Sequence, residues 1–163
     1  MNNIIYSIII PHHNIPHLLR RCLASIPHQE NLQTIVVDDK SDCVYLPELQ
    51  KVEKDYPWVQ FIYLPEGHGA GKARNVGLEH AMGTYVIFAD ADDFFNYCIK
   101  QVFDDYAEST YDTIFFNANS VDTDIYTTTY RCLHLNEMIR KAERNPAKSL
   151  FELKYAFGEP WCK

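Results

Sequence analysis

No stretch of this chain is long and apolar enough to cross a bilayer. The run Ile4–Ile10, interrupted by Ser7, falls far short of the roughly 20 residues that a span requires. No basic n-region precedes it, so it is expected to be a buried strand and not a signal peptide. No Cys-x-x-Cys pair occurs among the five cysteines, Cys22, Cys43, Cys98, Cys132 and Cys162, which excludes a zinc ribbon and a dithiol redox motif. Their odd number and wide scatter point to reduced thiols in a cytoplasmic protein, one that could rest on the inner face of a membrane. Basic charge is also scarce. A formal charge of −7 argues against a nucleic-acid or anionic-membrane surface, either of which wants a basic face. Internal repeats, low-complexity segments and clear linkers are missing too.

What remains is one domain's worth of chain. Its 163 residues suffice to bury about two thirds of the unfolded surface. With 47% hydrophobic and 13% aromatic residues, a packed core is expected and global disorder is not.

The first ninety residues alternate strand and helix patterns. Ile4–Pro11 is a continuous apolar run of the kind buried on both faces of a parallel sheet. Leu18, Leu19, Cys22, Leu23 and Ile26 recur at helical spacing, and Pro27 closes that helix. Thr34–Val37 reads as a strand running into Asp38-Asp39. Leu46, Leu49, Val52 and Tyr56 mark a helix stopped before Pro57. Val59–Leu64 is a third strand, followed by the loop Gly67-His68-Gly69-Ala70-Gly71. A third helix is predicted over Lys72–Met82 with Gly83 as its C-terminal cap. Tyr85–Ala89 is the fourth strand, leading into Asp90-Ala91-Asp92-Asp93. This order implies an α/β fold with a mostly parallel central sheet between helical layers. Ligands of such sheets sit beyond the carboxyl ends of the strands, where all the unusual loops of this chain fall. Further on, Cys98–Tyr106 suggests a helix, Thr113–Phe116 a strand, and Ile125–Tyr130 a more exposed strand. Asn136 caps a helix through Arg144 in this reading, with a short helix over Pro146–Ala156.

Carboxylates two apart after a buried strand can share a hard cation through oxygen. Without one, like charges this close raise each other's pKa. A solvated acidic turn is the alternative for Asp90–Asp93. A second acidic strand end, Asp38-Asp39, on the same sheet edge is hard to explain by solubility alone. The Gly67–Lys72 loop is no Walker A loop: Glu66 stands at the first glycine and Ala73 replaces the metal-binding hydroxyl. A dinucleotide fingerprint would place glycine at Arg74 and follow the first strand. The loop leaves Lys72 and Arg74 at a helix start, both suited to a diphosphate, against the alternative of ordinary surface residues. A phosphatase of the haloacid dehalogenase type would carry Thr or Val where Phe94 stands, and its Asp-x-Asp would follow the first strand. His12 and His13 are adjacent in a strand, so at most one reaches a ligand, as pocket wall and not as metal ligand.

Four segments in order and spacing carry a resemblance. They are Ser7-Ile8-Ile9-Ile10-Pro11-His12-His13-Asn14, Val36-Val37-Asp38-Asp39-Lys40-Ser41, Gly69-Ala70-Gly71-Lys72-Ala73-Arg74-Asn75-Val76-Gly77 and Asp90-Ala91-Asp92-Asp93. Over about Tyr6 to Phe94 the chain resembles family 2 glycosyltransferases, which have the GT-A fold, a Rossmann-like three-layer sandwich. The resemblance implies that Pro11, His12 and Asn14 border the nucleoside and that Asp39 contacts base or ribose. Lys72 and Arg74 would lie near the base or diphosphate, and Asp90 and Ala91 would face the nucleotide. Asp92 and Asp93 would bind a divalent cation, Mn2+ or Mg2+, bridging the two phosphates. Two positions depart from the family, which often has tyrosine at His13 and glycine at Lys40.

The implied activity is metal-dependent, inverting transfer of a hexosyl-type sugar from a nucleotide diphosphate, UDP being the commonest carrier, to an acceptor hydroxyl. The acceptor would be a saccharide or lipid-linked group in polysaccharide or glycoconjugate synthesis, with no nucleic-acid partner. A nucleotidyltransferase would show a glycine-rich basic loop after the first strand, which Pro11–Asn14 is not; a non-catalytic sugar-nucleotide-binding module is the reading from another class. The expected organisation is one domain over residues 1–163, with a nucleotide-binding part at about 4–95 and the start of an acceptor part at about 96–163. No Glu-Asp dipeptide of the kind that supplies the family's general base occurs. The chain stops at Trp161-Cys162-Lys163, similar to the segment preceding that base. A C-terminally truncated chain is expected, with its base beyond Lys163 and no turnover on its own; Glu159 is a remote stand-in.

Overall fold

The computed structural model describes residues 4–114, 121–122, 125–126 and 130–144. Two compact units are present, Met1–Ser109 and Thr110–Lys163. The helix expected at Cys98–Tyr106 lies in the first unit.

The first unit holds β1 (Tyr6–His12), α1 (Pro16–Ala24), β2 (Leu32–Asp38), α2 (Leu46–Asp55), β3 (Val59–Tyr63), α3 (Ala70–His80), β4 (Tyr85–Phe88) and α4 (Ile99–Tyr106). Its four strands form an all-parallel sheet in the order β3-β2-β1-β4. Every residue of β1 is buried, as the continuous apolar run requires of a central parallel strand. Pro11 is tolerated there for a reason visible in the register. The Ile9 carbonyl accepts from Ala89 on the β4 side, and the period of two directs the Pro11 nitrogen to that same side. Pairing with β4 has already ended at Ile9–Phe88, so no ladder bond is lost.

Side chains alternate between two apolar layers. Tyr6, Ile8, Ile10 and Val36 pack with Leu19, Cys22 and Leu23 of α1, Leu49 and Val52 of α2 and Phe103 of α4. Ile9, Ile35 and Val37 pack against Ala73 of α3. Full burial of each such aliphatic side chain contributes about 1.5–3 kcal/mol, which makes these two faces the main source of stability. Small residues let α3 approach: a Cβ on Gly77 would meet Ile9 Cγ2 at 2.3 Å. α1 opens on Pro16 at its first position, where a missing N–H costs nothing.

Three sequence expectations need correction. Gly83 does not cap α3, which ends at His80 with an extended Ala81 as C-cap. It is a glycine because β1 lies against it: a Cβ there would sit 2.6 Å from Ser7 N and Tyr6 C, and its N–H donates to Ser7 Oγ at 2.8 Å. Tyr130 is not the end of a strand but the first residue of α5 (Tyr130–Arg144), and Asn136 lies inside that helix. No glycine or proline separates the two, so nothing stops helical backbone from extending upstream of the potential cap. Residues 113–114 are not strand, and 115–116 lie outside the described residues, as do 146–156 and the terminal segment with Glu159 and Trp161. In the second unit β5 (Val121–Asp122) pairs antiparallel with β6 (Ile125–Tyr126), and α5 carries an exposed Lys141–Glu137 pair at 3.1 Å. Among the described residues no helix is long and apolar enough to cross a membrane.

Candidate functional site

The strand order reverses at β1, between β2 and β4, and the loops beyond the carboxyl ends of those strands converge at this switch point. At the β2 end, Asp38 is 2% exposed and its carboxylate is fully used. His12 Nδ1–H donates to Asp38 Oδ1 at 2.7 Å, Ser41 Oγ–H to the same oxygen at 2.5 Å, and Ser41 N–H to Oδ2 at 2.9 Å. Burial opposes ionisation of Asp38, but these donors outweigh it and hold the carboxyl below the ordinary carboxylate range. His12 is itself buried, and its Nε2 accepts from Ile15 N–H at 3.3 Å. Both ring nitrogens therefore face protein groups.

The same network shapes the two loops. Asn14 N–H donates to Ser41 Oγ at 2.9 Å, Asn14 Nδ2 to Asp42 Oδ2 at 2.9 Å, and Asp42 N–H back to Asn14 Oδ1 at 2.8 Å. Asn14 and Lys40 both hold left-handed backbone, with φ of 59° and 56°. Asparagine accepts that conformation readily and lysine does not, so the glycine that the family often carries at position 40 has a conformational reason. Asp39 reaches across to the glycine-rich loop, where its two carboxylate oxygens accept His68 N–H at 2.9 Å and Gly69 N–H at 2.6 Å. Gly67 lies close to the Asp39 carbonyl, a Cβ there meeting it at 3.3 Å. The loop ahead of α3 is thus pinned to the β2 end, and Gly69, at φ 84°, turns the chain into the helix.

At the β4 end the aspartates have far fewer partners. Carboxylate oxygens of Asp90, Asp92 and Asp93 lie within 4.8 Å of one another. Arg74 of α3 pairs with Asp90 through Nη2 and Oδ1, both side chains being partly exposed. Although Asp93 is open at the surface, loss of water around it and then the Asp92 and Asp90 carboxylates push its carboxyl up, with Arg21 offsetting part. An oxygen-only donor set under mutual repulsion has the chemistry that suits a hard divalent cation. Beneath it, burial first and Asp93 second push the Cys22 thiol up to about 12, so no soft ligand is offered here.

The sequence profile of glycosyl transferase family 2 matches residues 7–156. The chain belongs to this family. Curated relatives include an uncharacterized glycosyltransferase of Haemophilus influenzae, 33% identical over 96 residues (58% of this chain, 38% of that one). Another is the putative teichuronic acid biosynthesis glycosyltransferase TuaG of Bacillus subtilis, 37% identical over 89 residues (53% of this chain, 35% of that one). The match thus spans little more than a third of the length of these relatives. Among solved structures, Staphylococcus aureus TarS 1–349 in complex with UDP-GlcNAc is 27% identical with a TM-score of 0.55, covering 63% of this chain and 31% of that one. The mannosyltransferase PcManGT of Pyrobaculum calidifontis, solved with GDP-Man and Mn2+, shares the fold at 24% identity and a TM-score of 0.50, covering 57% of this chain and 29% of that one. The fold of the family 2 chain is the α/β GT-A arrangement, with its four-stranded all-parallel sheet.

The residues singled out from the sequence fall into two groups. Pro11, His12, Asp39 and Ala91 are buried. Asn14, Arg74 and Asp90 are half-buried, while Lys72, Asp92 and Asp93 are exposed. Among the described residues Lys72 has no ion-pair partner. Sequence reasoning missed Ser41, which satisfies Asp38, and Arg21, whose Nη2 donates to the Asp92 carbonyl at 2.5 Å. Ser41 belongs to a quoted segment and could have been found as a strand-end hydroxyl three residues after a buried aspartate. Arg21 sits on a helix among ordinary basic residues and gave no signal.

Proposed function

We propose that this chain is the donor-binding half of an inverting, metal-dependent glycosyltransferase, which moves a sugar from a nucleoside-diphosphate sugar, a UDP-sugar above all, to an acceptor hydroxyl. The observation that carries it is the acidic group Asp90, Asp92 and Asp93 at the switch point, with Arg74 from α3 beside it. An acidic protein that takes up a diphosphate must reverse its charge locally, and this is where cationic groups and carboxylates meet. Asp92 and Asp93 would hold a divalent cation, Mn2+ or Mg2+, which when bound neutralises charge developing on the departing diphosphate. Lys72, exposed and unpaired among the described residues, supplies a second positive charge, and Asp90 keeps Arg74 aimed at the site. Asn14 borders the nucleoside. Asp39, its carboxylate committed to the loop at His68 and Gly69, shapes the wall that base and ribose meet.

Support for the substrate class comes from TarS, which was solved with UDP-GlcNAc, and from relatives such as TuaG, a putative teichuronic acid glycosyltransferase. By analogy the whole protein acts on a saccharide or lipid-linked acceptor in polysaccharide or glycoconjugate synthesis. Residues of about 96–163 contribute to its acceptor part. A thermal-shift panel of nucleoside diphosphates with and without Mn2+ tests the reading. At about 100 times its dissociation constant the matching nucleotide should stabilise the fold by about 2.7 kcal/mol in Mn2+, and a chelator should remove most of that gain. Equal stabilisation in both conditions would refute the metal bridge. Arg74→Ala should weaken nucleotide binding in the same assay, and unchanged binding returns Arg74 to a surface role.

A further inference from the structure

We propose that Arg21 and Ser25 of the α1 C-terminal end are positioning residues, which clamp the backbone of the acidic turn so that the Asp92 and Asp93 carboxylates keep one orientation. The inference deepens the donor-binding reading and rests on it for its ligand. Arg21 Nη2 donates to the Asp92 carbonyl at 2.5 Å, and its guanidinium lies over the Phe94 ring, 5.1 Å from the centroid. Four residues later, Ser25 Oγ accepts Phe95 N–H at 2.9 Å while donating to the Cys22 carbonyl at 2.6 Å. That spacing places both side chains on one flank of α1. The turn is thus held at Asp92 O, at the Phe94 face and at Phe95 N–H, on either side of Asp93. Within it, Asp93 N–H closes on the Asp90 carbonyl at 2.9 Å, and Ala91, 3% exposed, is anchored in the core. Backbone contacts of this kind fix where a ligand side chain starts, and outer supports of metal sites matter nearly as much as the ligands.

Arg21 also brings positive charge to the cluster, and that charge by itself repels a divalent cation. Positioning and repulsion therefore have opposite signs, which makes them separable. Two measurements on this chain decide between them: amide hydrogen exchange at residues 93–95, and Mn2+ uptake followed by the electron paramagnetic resonance of the free ion. In Arg21→Ala and Ser25→Ala, the amides of residues 93–95 should exchange several-fold faster while those of β1 stay protected. Mn2+ affinity should fall about tenfold in Arg21→Ala, and also in Arg21→Lys, which keeps the charge but loses the fork and the stacking. If Arg21 is only a nearby charge, Arg21→Ala binds Mn2+ more tightly and Arg21→Lys is unchanged, which overturns the proposal. Unaltered exchange at residues 93–95 overturns it as well. If exchange quickens as expected but the unsubstituted chain takes up no Mn2+, the clamp stands and the donor-binding reading is what fails.

Discussion

The strands flanking β1 on either side both run into aspartates. At the end of β2, Asp38 is 2% exposed and receives hydrogen bonds from His12 and from the Ser41 hydroxyl and amide. At the end of β4, Asp92 and Asp93 are exposed, and the carboxylates of Asp90, Asp92 and Asp93 crowd within 4.8 Å of one another. Asp38 is therefore stabilised as an anion, whereas loss of water and the neighbouring carboxylates push the Asp93 carboxyl up. A carboxylate surrounded by donors is part of the scaffold. A carboxylate surrounded by carboxylates is a cost to the free protein that a bound cation can relieve.

Removing the satisfied carboxylate should give the largest effect on stability. Asp38→Ala leaves His12 Nδ1–H and the Ser41 amide without their acceptor, and should cost about 3 kcal/mol in urea unfolding. A loss within experimental error of zero would show that the β2 end is as dispensable as a surface turn. The acid response of the unsubstituted chain follows from the same site. The folded-state pKa of Asp38 lies below its unfolded value, so its contribution is complete above the ordinary carboxylate range, near pH 4. It is lost as pH falls further, through the folded pKa. Asp38→Asn should therefore be less sensitive to acid in that window, and an unchanged pH slope would contradict the assignment.

A smaller effect of opposite sign is expected at the β4 end. Asp93→Asn removes one of three mutually repelling carboxylates and should raise the melting temperature of the metal-free protein at neutral pH. A drop would mean that Asp93 has a structural partner after all. The smallest effect concerns the loop that carries Asp39. Lys40 at φ 56° bears the roughly 1–2 kcal/mol penalty of left-handed backbone, whereas glycine costs about 0.5–1 kcal/mol in unfolded-chain entropy. Lys40→Gly should thus stabilise by about 0.5 kcal/mol, read as a shift in the urea midpoint, and destabilisation would refute the local strain.

Much of this contrast could be read from the chain, though not its direction. The strands were legible because burial on both faces writes continuous apolar runs such as Ile8-Ile9-Ile10 and Val36-Val37. The strand-end aspartates were legible because a parallel sheet sends all its ligand loops to one edge. The sequence could not reveal which pair was satisfied. That depends in part on His12 meeting Asp38 across 26 positions of chain, a contact set by register and not by local pattern. Gly83 misled for a similar reason, since a glycine after a helix looks like a cap whether its purpose is backbone conformation or room for Ser7. Arg21 was invisible because its target is a backbone carbonyl, and a carbonyl leaves no trace in residue identity.

The most direct test of the division between scaffold and site is calorimetric titration of UDP in Mn2+ into the unsubstituted chain and into Asp92→Asn. The β4 end is assigned the cation and the diphosphate, so UDP binding should be present in the first and largely lost in the second, with the melting temperature of Asp92→Asn undiminished. UDP affinity that is the same in both proteins would contradict that assignment and return Asp90–Asp93 to a solvated turn.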